Sequence, residues 1–99
     1  MSDSEPNSNS NTYQECKGNK YPLNEYYMLI DCHDVIRTNN KIIAFLVVDD
    51  RGTKKIRFYA WRKKGDSWKV DLARVDTRGW DFENISQSIA EFKKKHMIV

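Results

Sequence analysis

The chain has 99 residues, 39% hydrophobic and 12% aromatic, with a formal net charge of +3. That length holds one domain, and no apolar run approaches the ~20 residues of a membrane-spanning helix. The charge is uneven: Asp3, Glu5, Glu15 and Glu25 outweigh Lys17 and Lys20 at the start of the chain, which leaves the remainder basic. A basic domain suits an acidic partner such as nucleic acid, although many soluble domains carry a charge of this size with no such role.

Residues 1–20 are predicted to be a disordered polar tail, because Ser, Asn, Asp, Glu and Gly dominate them and cannot bury enough apolar surface to offset chain entropy. The opening MSDSEPNSNSNT has neither the basic start nor the apolar stretch of a signal peptide. An intracellular protein, cytoplasmic or nuclear and not secreted, is therefore expected. Cys16 and Cys32 then count as free thiols of a reducing compartment.

Residues 21–99 are predicted to form a single ββββα domain of the α+β class. Tyr21-Pro22-Leu23-Asn24 is an entry turn. A first strand follows from about Tyr26 to Arg37, with Met28, Ile30, Cys32 and Ile36 in one row and Leu29, Asp31, His33 and Arg37 in the other. Thr38-Asn39-Asn40 is a turn, since Asn tolerates positive φ.

Lys41 to Asp49 is the second strand and is apolar on both faces, the mark of a central strand covered on both sides. One helix can cover only one of those faces. A homodimer is therefore expected, with a second copy on the other face.

The third strand, KKIRFYAWRKK, starts at Lys54. Ile56, Phe58 and Ala60 fall on one face; Lys55, Arg57, Tyr59, Trp61 and Lys63 fall on the other. Lys64-Gly65-Asp66 makes the next turn, and Ser67 to Val75 is the fourth strand. A three-residue loop gathers Trp68, Val70 and Leu72 beside Ile56, Phe58 and Ala60; a two-residue loop sets them beside Tyr59 and Trp61. The first register is preferred because it collects the apolar residues into one core. After a loop containing Gly79, Asp81 caps a helix from Phe82 to about His96. Its stripe of Ile85, Ile89 and Phe92 packs on the sheet, and Lys93, Lys94, Lys95 and His96 sit at its negative end.

The sequence carries no phosphate-binding loop, dinucleotide fingerprint or nucleophile elbow, and no enzyme or cofactor is expected. Cys32 and His33 are neighbours on a strand and point apart. Cys16, Cys32, His33 and His96 match no paired zinc knuckle, and Asp49 and Asp50 fit a turn better than a metal site.

The third-strand face is the candidate site. Tyr59 and Trp61 would stack bases, while Lys55, Arg57, Lys63 and Lys69 would meet phosphates. The expected function is non-enzymatic binding of single-stranded DNA or RNA. A small protein-interaction module using the same face, or the apolar second strand, is the alternative.

Four strands and a helix across Tyr26 to His96, with KKIRFYAWRKK on the third strand and DFENISQSIAEFKKKH as the helix, resemble the transcriptional-coactivator-type, Whirly and Pur-alpha-type single-stranded nucleic-acid-binding domains. The likeness is one of architecture. It implies curved sheets bearing basic and aromatic residues in domains that pair.

Overall fold

A computed structural model describes residues 12–24 and 26–99. Two short strands, β1 (Gln14–Cys16) and β2 (Asn19–Tyr21), form an antiparallel hairpin. A four-stranded antiparallel meander follows in the order β3 (Met28–Arg37), β4 (Lys41–Asp50), β5 (Thr53–Lys64), β6 (Ser67–Val70). A short 3-10 helix, Leu72–Arg74, and then α1, Phe82–His96, complete the chain. The expected α+β meander with one C-terminal helix is present.

Local chemistry accounts for the joints. The Asp81 carboxylate accepts a hydrogen bond from the Asn84 amide at 3.0 Å and starts α1 where the sequence predicts. Arg51 and Gly52 both have positive φ, as a type I′ two-residue turn between right-twisted strands requires. In the β5–β6 hairpin Lys64 pairs with Ser67, leaving Gly65 and Asp66 as a two-residue loop with Gly65 at φ 61°.

That loop corrects the preferred register. Lys63 pairs with Trp68 and Trp61 with Val70, so Trp68 and Val70 share the face of Tyr59 and Trp61. The fourth strand also stops at Val70, where the backbone amide of Asp71 donates to the Ala60 carbonyl and the chain turns into the 3-10 helix.

The expected tail requires a larger correction. Residues 1–11 lie outside the described residues, but residues 14–21 form the hairpin, which folds back over the sheet. Tyr21 and Leu23 are buried against Ile42, Ala44, Leu46, Val48 and Trp61, and this cluster is the main core. Lys17 at φ 54° and Gly18 at φ 83° make the tight turn that returns the chain. The second face of β4 is thus covered from within the chain, which removes the reason for expecting a second copy there. On the opposite face α1 buries Ile85 and Phe92.

The cysteines are corrected as well. Cys16 and Cys32 form a disulfide, with Cα atoms 6.4 Å apart, that staples β1 to β3. Two irregularities in β3 make this possible, one between Leu29 and Asp31 and one between Asp34 and Ile36. Each adds a residue and shifts the alternation. Leu29, Cys32, Asp34 and Arg37 therefore face the hairpin, while Asp31, His33 and Ile36 face the helix. The two-row reading of this strand fails at those two points.

No helix among the described residues is long and apolar enough to cross a membrane.

Candidate functional site

The predicted site residues divide between two faces and several states. Trp61 is 2% exposed and belongs to the core. Its ring lies 6.1 Å from that of Tyr21, so a base cannot stack on it in this fold. Tyr59 is half-buried beside it, and burial raises its phenol above the usual range. Arg57 lies over the rings of Tyr27 (4.9 Å) and Tyr59 (5.7 Å). Lys55 pairs with Asp50 at 3.1 Å. Lys63 is exposed, with its ammonium 5.9 Å above the Trp68 ring. The expected basic-aromatic platform is therefore split: Trp61 packs under Tyr21 of the hairpin, Arg57 is layered between Tyr27 and Tyr59, and Lys55 and Lys63 stay exposed.

Lys69 lies on the other face. It pairs with Arg62 on β5, and Arg62 pairs with Lys41 on β4. Directly paired residues point the same way, so Lys41, Arg62 and Lys69 make a row of three cations across three adjacent strands. Neighbouring strands are ~4.8 Å apart, so the row spans roughly 10 Å. Lys41 and Lys69 are exposed and have no carboxylate partner among the described residues. The charge of Asp76 reaches Lys41, but Asp76 is itself held by Arg78 at 2.6 Å.

Asp71 and Arg74 join the row at its middle, beside Arg62. The Nε atoms of Arg62 and Arg74 approach the same oxygen, Oδ2 of Asp71, at 3.3 and 3.8 Å. A concavity of about 20 Å³ opens there, with Lys41, Arg62, Asp71 and Arg74 around Ile43 and Ala60. Sequence reasoning missed Lys41, Arg62 and Arg74. Lys41 meets Arg62 through the β4–β5 register, and Arg74 reaches them because β6 ends early and the chain turns into the 3-10 helix.

The polar residues considered for chemistry have other partners. His33 Nδ1 lies 3.0 Å from the Ser88 hydroxyl on α1. His96 Nε2 lies 2.9 Å from Oδ2 of Asp31, and Lys17 reaches Oδ1 of the same carboxylate at 3.0 Å. Burial pushes the Asp31 carboxyl up, but the His96 ring, the Cys32 amide and the Lys17 ammonium together outweigh it and hold the group down to about 2. Asp31 thus fastens both covering layers to β3. Among the described residues no group of three His, Cys, Asp or Glu side chains could hold a metal ion.

No protein-family model, no curated protein and no solved structure matches the chain.

Proposed function

We propose that this domain is a non-enzymatic nucleic-acid-binding protein that grips the phosphate backbone through the row Lys41, Arg62 and Lys69. The observation that carries this reading is the row itself. Like charges directly opposite one another on adjacent strands destabilise a sheet, yet here three stand in register and only Arg62 has a carboxylate partner among the described residues. An array of phosphates supplies the counter-charge that Lys41 and Lys69 lack and adds to that of Arg62.

The preference for single strands rested on stacking at Tyr59 and Trp61. With Trp61 in the core, phosphate contact dominates, and binding discriminates weakly between single and double strands. Three phosphate contacts correspond to a log-log salt slope of about −2 on a single strand. Fluorescence anisotropy of a labelled oligonucleotide across a salt series tests this. Lys41→Ala and Lys69→Ala should each weaken binding and flatten the slope by about 0.7. An oligonucleotide that fails to bind at low salt rejects the reading.

The protein-interaction reading has one observation in its favour. Val70 and Leu72, next to Lys69 and Asp71 in the chain, are 57% and 52% exposed, and a phosphate polymer uses neither. A pull-down with and without nuclease separates the two readings, because a protein partner survives the nuclease.

A further inference from the structure

The carboxylate of Asp71 is placed unlike the other acidic partners of arginine in this fold. Arg37 meets Asp34 at 2.6 Å, Arg78 meets Asp76 at 2.6 Å and Arg51 meets Asp50 at 3.1 Å, each through a hydrogen bond. Arg62 and Arg74 instead stand 3.3 and 3.8 Å from Asp71, and neither contact is a hydrogen bond. One oxygen faces two guanidinium groups and satisfies neither fork. The Asp71 backbone is anchored beside the row, its amide donating to the Ala60 carbonyl at 2.8 Å.

We propose that Asp71 is an internal competitor occupying a phosphate position, and that Arg62 and Arg74 are a phosphate clamp it keeps loosely engaged. This rests on the phosphate-binding reading above and names the group that sets its strength. A guanidinium donates two parallel hydrogen bonds to a suitably placed oxyanion, and such charge-assisted pairs are far stronger than an unaligned contact. A phosphate has several oxygens to share between two forks, whereas Asp71 presents the same oxygen, Oδ2, to both. The adjoining concavity of about 20 Å³ has room for one oxygen of the ligand, with the remainder in solvent. Lys41, on its rim, supplies a third cation. Arg62 and Arg74 are 39% and 67% exposed, so a ligand reaches both without opening the fold.

The test pairs two variants with a direct probe. Asp71→Asn keeps the shape of the side chain and removes its charge. It should tighten binding of a labelled oligothymidylate by roughly fivefold, the worth of one exposed ion pair. Asp66→Asn is the control for charge alone: Asp66 is exposed on the β5–β6 loop with no ion-pair partner among the described residues, and its loss should change binding less than twofold. The D71N gain should vanish when Arg74→Ala is added. Independently, inorganic phosphate alone should shift the Nε–H resonances of Arg62 and Arg74 in the wild-type protein. That titration decides the matter if D71N fails to fold. Phosphate shifts without oligonucleotide binding would uphold the clamp and reject the nucleic-acid reading. Oligonucleotide binding with a D71N gain no larger than that of D66N, or unmoved Nε resonances, would overturn the clamp.

Discussion

Tyr59 and Trp61 stack ring on ring, 4.9 Å between centroids and 3° between planes, on the sheet face that the N-terminal hairpin covers. The pair is structural. Trp61→Ala should cost about 3–5 kcal/mol, as large aromatic truncations in a packed core do. Tyr59→Ala should cost less, because Tyr59 is only half-buried. Urea denaturation of both variants measures the difference. A stable, fully folded W61A would mean that the hairpin does not cover this face.

The staple between Cys16 and Cys32 spans 16 positions. In the chain-entropy picture a loop of that size contributes about 3 kcal/mol by restricting the unfolded chain. Replacing both cysteines with serine, or adding a reductant, should lower the melting temperature by roughly 10 °C or more for a domain of this size. Calorimetry with and without reductant checks it. Truncation through residue 20 should cost more still, since it also removes Lys17 from Asp31.

Acid should loosen the fold at Asp31. Its carboxyl is held to about 2 when folded, below its ordinary unfolded value of about 3.9. The contribution of a depressed acid is fully present above the unfolded value and disappears as pH falls through the folded one. Stability should therefore drop between about pH 4 and pH 2. Asp31→Asn should be less stable at neutral pH and should flatten that limb of the curve. Chemical denaturation at a series of pH values gives both. An unchanged acid limb in D31N would show that other carboxylates control it.

The row of cations should be a burden on the fold. Lys69→Thr removes one like-charge neighbour of Arg62 and adds a residue that favours strands. It should raise stability by a few tenths of a kcal/mol while weakening oligonucleotide binding. Thermal melts at low salt, where the repulsion is least screened, test the first part.

Much of the architecture could be read locally. The unbroken apolar run in KIIAFLVV and the alternation in KKIRFYAW specify β4 and β5, and Asp81 with the stripe Ile85, Ile89 and Phe92 specifies α1. The parts that could not be read depend on contacts distant in sequence. QEC and NKY look like tail because each strand has three residues and is held by side chains elsewhere, Gln14 to the Leu29 amide and Tyr21 to Asp34. The extra residues in β3 have no local mark, and they decide that Cys32 meets Cys16. The faces of β6 turned on one residue of loop length. Gly65 followed by Asp66 was the available sign of the shorter loop, because a glycine with positive φ at the first central position suits a two-residue turn. The preference for a single apolar face overrode that sign and put Lys69 on the wrong side.

Both coverings of the sheet are fastened at β3, by the disulfide and by the carboxylate that Lys17 and His96 share. The strand at the opposite margin, β6, carries none of these fasteners. The molecule therefore separates a seam that must be kept from a border that can be altered. Exchanges among the exposed residues of that border, Lys64, Asp66, Lys69 and Leu72 to Arg74, meet little resistance from the fold. Side chains on that border can thus be exchanged while both fastenings of the sheet stay in place.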